Sequence, residues 1–500
     1  MDTLLPTLLE EFQAIITAFT DGVEREAKLP NIPNKIMVAI GMRRTGKSYL
    51  LLQTIKRLLQ RDQVALSRIL YVNFEDDRLG PLTASQLSRL LDGFYTLYPE
   101  NHDQLCYLFL DEIQNIENWQ KVIRRYFDTK KVKIYVTGSS AKLLSKEIAT
   151  SLRGRSVATE IWPFSFTEFL QIKELSLPKT YGRKSLDTLM NLLKNYIKHG
   201  GFPETTTHYE KITPKQVADV WMETLGIASP GMNENFFDLG GHSLSVIQLI
   251  NKFREKFGIN IPIKTFLEHP TIELLTHCLN NFYVAENENR LRILQDYLSV
   301  VVLRDIVERH KITNISLIRY MANFLLKNVG RSFSVHKFYN DLKSQAFSIS
   351  KTTVHDYLSY IEDAYLAFTV PLYSESLRKT QSNPRKIYAV DTGLVNACTF
   401  GFAENIGRHF ENLIYLDLRR AGHEIYYYLT ATRKEVDFLT QDLQGRRHLF
   451  QVCWDMEKSE TLERETSALT EAEKELKIKG ECITPTTYFT SFLPATQKRS

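Results

Sequence analysis

The sequence predicts a multidomain chain: a three-layer α/β fold on a parallel sheet, interrupted by a small all-α bundle and followed by further α/β segments. Three observations lead there. A short apolar run, Lys35 to Ile40, enters a glycine-bearing loop and then a stretch with helical apolar spacing. A second apolar run, Leu105 to Leu110, ends in two acids. The segment 213–281 carries helical periodicity alone. At 500 residues the chain also exceeds the ~250 to 300 residues at which single cores stop growing.

The composition narrows the class. An apolar content of 43% is ample for buried cores. Cys106, Cys278, Cys398, Cys453 and Cys482 form no Cys-x-x-Cys pair, which argues against a disulfide framework or a zinc ribbon and fits a reducing cytoplasm. Acidic residues precede any basic cluster at the N-terminus, and no apolar run approaches ~20 residues, so a soluble cytoplasmic protein without a membrane span is expected. Net charge is +5, yet residues 213–281 hold five Lys or Arg against seven Asp or Glu, a local −2 that leaves +7 on the rest. A mildly basic body permits contact with nucleic acid without requiring it.

The first apolar run reads as a buried strand, and Gly41-Met42-Arg43-Arg44-Thr45-Gly46-Lys47-Ser48 matches G-x-x-x-x-G-K-[ST], with Tyr49 to Leu59 as the following helix. Strand, loop and helix are the context that lets backbone N–H groups wrap a phosphate at a helix N-terminus. Gly41, Arg44, Thr45 and Gly46 are the candidate wrapping residues for ATP. Lys47 is placed to reach the β and γ oxygens, and Ser48 to ligate Mg²⁺. Leu105 to Leu110 reads as a buried parallel strand that delivers Asp111 to the metal shell and Glu112 to the attacking water. The alternative is an acidic pair that caps the next helix. Lys133 to Val136 is a third strand, ending in Thr137-Gly138-Ser139-Ser140, where Ser139 is a candidate polar sensor of the γ-phosphate.

Five further strings follow in order: Tyr71-Val72-Asn73-Phe74-Glu75-Asp76, Leu110-Asp111-Glu112-Ile113-Gln114, Leu152-Arg153-Gly154-Arg155, Pro163-Phe164-Ser165-Phe166-Thr167-Glu168-Phe169 and Gly200-Gly201-Phe202-Pro203-Glu204. With these the chain resembles a family of bacterial and archaeal AAA-type P-loop ATPases over about residues 1–210 and 285–455. The resemblance implies a three-layer P-loop NTPase, a winged helix and a C-terminal domain similar to restriction endonucleases. It makes Arg153 or Arg155 a candidate arginine finger, with a structural arginine as the alternative.

The interruption has its own signature. Asn235-Phe236-Phe237 leads into Asp238-Leu239-Gly240-Gly241-His242-Ser243-Leu244, and Phe266, His269, Pro270, Thr271 and Ile272 follow. Val217 to Leu225, a stripe of Leu244, Ile247, Ile250, Phe253 and Phe257, and Ile272 to Leu279 predict amphipathic helices. Alone, Ser243 before an apolar helix reads as an N-cap. The surrounding pattern resembles peptidyl carrier domains of nonribosomal peptide synthetases, four-helix bundles that catalyse nothing themselves. By that resemblance a separate phosphopantetheinyl transferase uses coenzyme A to attach 4′-phosphopantetheine to Ser243, and the thiol of that arm holds an acyl or aminoacyl thioester. A nonribosomal peptide synthetase or an acyl-activating enzyme is the implied partner. Asp238 is assigned to the transferase metal site and His242 to loop packing.

In the last third, Ser334 to Ala346 and Lys351 to Tyr365 read as helix, turn and helix, with Ala367 to Tyr373 and Lys386 to Val390 as wing strands. Lys351, Thr352, Thr353 and His355 could face DNA, although Asp356, Glu362 and Asp363 dilute the charge. Glu411, Asp437 and Gln451-Val452-Cys453 resemble a nuclease core whose lysine is replaced by Cys453, so an inactive nuclease-like domain is expected. Residues from about 457 onward resemble nothing specific. The expected domains are an ATPase at 1–212, a carrier at 213–281, a helical continuation at 282–316, a winged helix at 317–390 and the nuclease-like domain at 391–500. Three functional readings remain open: an ATPase or ATP-driven switch bearing a carrier, a carrier module that the ATPase only tethers, and a fusion whose two parts do not cooperate.

Overall fold

The computed structural model describes residues 4–497 except 21, 81, 140–151, 153, 179, 207–212, 258–260, 262, 346, 377–379, 381–383, 400–404 and 455–458. Two units emerge: 1–203 with 297–500, and 204–296.

In the first unit, β1 (Ile36–Ile40), β2 (Ile69–Asn73), β3 (Cys106–Asp111), β4 (Val132–Gly138) and β5 (Ser156–Glu160) form a parallel sheet in the order β2-β3-β4-β1-β5. Every residue of β1 and β3 is buried, so both sheet faces are covered. That explains why these strands read as unbroken apolar runs rather than alternating ones. On one face Met37, Phe109 and Tyr135 pack against Leu51 and Ile55 of the helix Lys47–Gln60 and against Phe12 and Ile16 of the helix Leu4–Ala18.

Two further sheets lie in the C-terminal part of this unit. β6 (Ser332–Phe333), β7 (Ala367–Val370) and β8 (Arg385–Ala389) are antiparallel in the order β6-β8-β7, with the helices Val335–Ser344 and Lys351–Asp363 between β6 and β7. β9 (Glu424–Leu429), β10 (Glu435–Gln441) and β11 (Arg447–Val452) are antiparallel, and β12 (Gly480–Ile483) adds in parallel to β11. The tail that resembled nothing in the sequence therefore completes this domain: the helix Ser459–Leu476 lays Ala468, Leu469 and Ala472 on Val436, Leu439 and Leu449 of the sheet.

The Gly200-Gly201-Phe202-Pro203 string has a packing reason. The Gly201 amide donates to the buried Asp391 carboxylate at 2.7 Å, and a Cβ on Gly200 would lie 2.0 Å from an oxygen of that carboxylate. Burial pushes the Asp391 carboxyl up to about 6, against the Gly201 and Leu394 amides and Arg420.

The second unit is helical: Pro214–Leu225, Ser243–Phe257, Ile263–Glu268 and the start of Ile272–Val300, which runs on past the expected end at Leu279. Its core comprises Val217, Val220, Trp221, Phe236, Val246, Leu249, Ile250, Phe253, Phe266 and Leu275, among others. The stripe expected on Ser243–Phe257 is corrected in part. Ile250 and Phe253 are buried, but Leu244 and Ile247 are 60% and 46% exposed, and Val246 and Leu249 take their places. Two apolar stripes share this helix, and periodicity alone does not say which faces the core. The Phe257 side chain lies outside the described residues.

Candidate functional site

The glycine loop joins the C-terminal end of β1 to the helix Lys47–Gln60. Gly46 caps that helix with φ 92°, a conformation that glycine adopts without a Cβ penalty, and a Cβ on Gly41 would lie 2.1 Å from the Ile161 carbonyl oxygen. The side chain of Lys47 is turned into the loop. Its ammonium donates to the Gly41 and Met42 carbonyls at 3.2 and 3.1 Å and lies 3.3 Å from the Glu112 carboxylate. The Thr45 hydroxyl donates to the Met42 carbonyl at 2.9 Å, and the Arg44 guanidinium lies over the Tyr297 ring at 5.8 Å.

Asp111, the last residue of β3, is fully buried and accepts hydrogen bonds from Ser48, Thr137 and Tyr71, the last at 3.0 Å. Burial and the neighbouring Glu112 push its carboxyl up, with the three hydroxyls opposing. At Glu112 burial also pushes upward, but Lys47, Gln114 and Arg43 outweigh it and hold the carboxyl below its ordinary value. The backbone of Glu112 is left-handed, φ 53°, which is uncommon for a non-glycine residue and aims its side chain back toward Lys47. The amide of Glu112 donates to the Thr137 hydroxyl at 2.8 Å, which ties β3 to the end of β4. Ser139 follows β4, buried, with its hydroxyl donating to Asp305 at 2.9 Å and accepting from Arg309 at 3.2 Å.

Thus Gly41, Arg44, Thr45, Gly46, Lys47, Ser48, Asp111, Glu112 and Ser139 converge at the C-terminal ends of the central strands β1, β3 and β4. Arg155 does not join them. It precedes β5, and its carbonyl accepts from the Ile36 amide at the start of β1, so it sits at the opposite strand end, roughly 16 Å from the loop of its own chain. Its guanidinium pairs with Asp128 at 3.2 Å. Arg153 lies outside the described residues.

Arg25 went unnoticed in the sequence. It is 3% exposed and donates to the Thr45 carbonyl at 2.7 Å, the Trp162 carbonyl at 2.6 Å and the Glu168 carboxylate at 2.8 Å, so it supports the loop from behind. Glu168 also caps the helix Phe166–Ile172 together with Ser165, which gives the Pro163-to-Phe169 string a physical role. Asp305 and Arg309, 166 and 170 residues beyond Ser139, were likewise invisible, since no local motif marks them.

In the helical unit, Ser243 is the first residue of Ser243–Phe257, and its side chain lies outside the described residues. Two capping bonds at the start of this helix are made among the described side chains: the His242 amide donates to the Ser245 hydroxyl at 2.7 Å, and the Ser245 amide donates to His242 Nδ1 at 3.4 Å. Gly241 packs flat on Phe236, where a Cβ would lie 2.3 Å from the ring.

The expected absence of a lysine in the C-terminal cluster is corrected. Lys386 of β8, read as a wing-strand residue, places its buried ammonium 2.9 Å from Glu411, 2.9 Å from Asp437 and 2.8 Å from Glu435. Gln451 donates to Asp437 at 3.0 Å, and the Tyr388 hydroxyl donates to Glu411 at 2.7 Å. Burial opposes the charge on Lys386, but Asp437 and Glu411 outweigh it and raise its pKa well above the ordinary value. Cys453 is buried.

A parallel sheet with a phosphate loop, a buried Asp-Glu strand end and a separate helical unit define a P-loop ATPase-type domain carrying a carrier domain. Comparison with known proteins agrees: residues 33–170 match the AAA domain family, 215–279 the phosphopantetheine attachment site family and 281–405 a domain of unknown function, DUF8612. The uncharacterized protein MJ1544 of Methanocaldococcus jannaschii is 32% identical over 470 residues, 93% of this chain and 85% of that one, and this chain belongs to its family. An uncharacterized protein of Haemophilus influenzae is 26% identical over 406 residues, 81% of this chain and 79% of that protein. Gramicidin S synthase 2 of Brevibacillus brevis is 35% identical over 98 residues, 20% of this chain but 2% of the synthase. The carrier domain is thus homologous to those of peptide synthetases. No helix among the described residues is long and apolar enough to cross a membrane.

Proposed function

We propose that the protein is a Mg²⁺-dependent ATPase or ATP-driven switch whose inserted domain carries 4′-phosphopantetheine on Ser243. The observation that carries the first half is the convergence of Lys47, Ser48, Asp111 and Glu112 at the ends of β1 and β3. Those residues fit the groups the reading requires: loop amides and the Lys47 ammonium for the phosphates, and the paired Ser48 and Asp111 for Mg²⁺. Glu112, kept ionised by Lys47 and Arg43, is suited to orient or deprotonate water. Ser139 would sense the γ-phosphate. Arg155 would serve only a neighbouring copy, and Arg153 remains a candidate finger from the sequence.

On the carrier, a phosphopantetheinyl transferase would move the arm of coenzyme A onto the Ser243 hydroxyl, with Asp238 assisting at the transferase metal. The arm's thiol would then hold an acyl or aminoacyl group for a synthetase or acyl-activating partner. A second reading makes this unit the working end and the ATPase its tether. It is favoured by Leu244 and Ile247, which stand exposed on the helix that Ser243 opens and offer an apolar contact to such a partner. The β6-to-β8 region is consistent with a winged helix, on which Lys351, Thr352 and His355 are exposed, and the β9-to-β12 domain with an inactive nuclease-like fold.

Nucleotide binding and turnover test the first half. Lys47→Ala should lose nucleotide binding, whereas Glu112→Gln should bind without turnover; unchanged binding in Lys47→Ala defeats the assignment. For the second half, coenzyme A and a broad-specificity transferase should add one prosthetic group to the folded protein and none to Ser243→Ala. Modification of that variant would show that the serine is elsewhere.

A further inference from the structure

Resting on the reading of the loop as an ATP site, we propose that Asp305 is a built-in competitor of the γ-phosphate, holding Arg43, Arg309 and the Ser139 hydroxyl until ATP takes these donors from it. One Asp305 oxygen accepts from Arg43 Nε at 2.9 Å; the other accepts from Ser139 at 2.9 Å and lies 3.4 Å from Arg309 Nη2. All three donors belong to the phosphate site. Arg43 is within the loop, Ser139 follows the strand that pairs with β1 up to Ile40 and Gly138, and Arg309 reaches the Ser139 hydroxyl itself. Arg43 and Arg309 line a cleft of about 560 Å³ together with Gln114, which also contacts Glu112.

A carboxylate with a side-chain exposure of 2% persists only while its oxygens are paired. Guanidinium groups bind carboxylate and phosphate through the same planar fork, so the two anions compete for the same donors. A γ-phosphate brings more charge and more acceptor oxygens, whereas ADP brings neither to this position. Asp305 belongs to the π-helical segment Val301–Glu308, and two residues past that segment the His310 ring stacks on Tyr360 of the helix Lys351–Asp363, with centroids 3.7 Å apart and planes 9° apart. Exchange of partners at Asp305 and Arg309 therefore shifts a segment that grips this helix, and nucleotide state becomes legible there.

The test compares ADP and ATPγS, each with Mg²⁺, on the full chain and on Asp305→Asn, Arg309→Ala and Arg309→Lys. Removal of the competitor in Asp305→Asn should raise the preference for ATPγS over ADP by about fivefold or more, and loss of the donor in Arg309→Ala should lower it by a similar factor. Arg309→Lys should recover part of it. Hydrogen exchange in the helix Lys351–Asp363 should respond to ATPγS and not to ADP, and the response should vanish in Arg309→Ala. Should the buried Asp305→Asn fail to fold, the Arg309 pair, at a side-chain exposure of 21%, still decides. If the unaltered chain binds both nucleotides and the preference stays unchanged in the variants, the cluster is a static salt bridge and the proposal falls. If the unaltered chain binds neither nucleotide, the ATP reading itself has failed.

Discussion

The Lys386 ammonium lies 2.9 Å from a carboxylate oxygen of Asp437, on different sheets and 51 residues apart in the chain. With Glu411 and Glu435 on the same nitrogen, one buried cation is shared among three acids, of which Glu411 has its carboxyl pushed up to about 7 by burial and Glu435 is partly exposed. Lys386→Met should therefore destabilise the protein by about 3 to 5 kcal/mol, because the acids lose the counter-ion that their burial demands. Urea unfolding of the variant beside the unaltered chain checks this, and a midpoint that does not move would show that the cluster is dispensable.

The same cluster bears on nuclease chemistry. The Lys386 ammonium on both Glu411 and Asp437, with Gln451 and the Val452 amide on the other Asp437 oxygen, occupies the carboxylate oxygens that a divalent ion would need. Incubation of supercoiled plasmid with the protein and Mg²⁺ should leave the plasmid intact. Cleavage that disappears in Asp437→Ala would overturn the inactive reading.

Arg25 links the loop at Thr45 to Trp162 and Glu168 by three hydrogen bonds from a 3%-exposed guanidinium. Arg25→Lys keeps the charge but cannot reproduce the planar fork. We expect nucleotide affinity to fall about tenfold, from loosening of the Thr45 carbonyl, and the thermal midpoint to drop as well, because Glu168 loses a partner. Isothermal titration with ADP measures the first effect and a thermal melt the second. An affinity equal to that of the unaltered chain would place Arg25 outside the loop's support.

The contrast between Lys47 and Arg25 shows what is readable without coordinates. Lys47 sits in a contiguous string, Gly41 to Ser48, whose spacing matches that of a phosphate-binding loop, so eight adjacent residues carry the signal. Arg25 acts on Glu168 across 143 positions, and neither residue alone differs from an ordinary surface ion. Lys386 shows the same limit: chain order puts Cys453 two residues after Gln451, but the ammonium arrives in space from β8. In the carrier, the motif around Ser243 was legible while the buried face of its helix was not, because Leu244 and Ile247 share the helical spacing of residues that do enter the core.

Burial and the neighbouring Arg408 hold the His409 imidazole at about 4, below the ordinary 6.5. The neutral ring is thus the form that the fold accepts. Its contribution to stability is fully present above pH 6.5 and is lost as pH falls from 6.5 toward 4, by about 3 kcal/mol in all at about 1.4 kcal/mol per pH unit. His409→Asn should flatten that part of the profile. Thermal midpoints recorded between pH 4 and 7.5 for both proteins check it, and parallel curves would assign the acid lability to other groups.

Removal of residues 213–281, with the ends joined by a short flexible linker, should leave a folded protein that still turns over Mg²⁺-ATP. The core of the helical unit draws its buried members from Val217 to Leu279, so the excision takes that core out whole rather than cutting it. What remains keeps the sheet, the glycine loop, Asp305 and Arg309, all outside the excised stretch. The cut at 281 falls within the helix Ile272–Val300, but its C-terminal part retains Tyr297, whose ring packs on Phe202 at 5.3 Å between centroids and holds that end in the ATPase unit. Loop-closure entropy changes by only about 0.6 kcal/mol per doubling of length, so the shorter connection should cost little. Circular dichroism, a thermal melt and the ATPase rate of the excised protein decide the matter. An insoluble product, or a folded one without turnover, would show that the carrier is an integral part of the ATPase and would favour a machine in which cargo loading and nucleotide state are coupled.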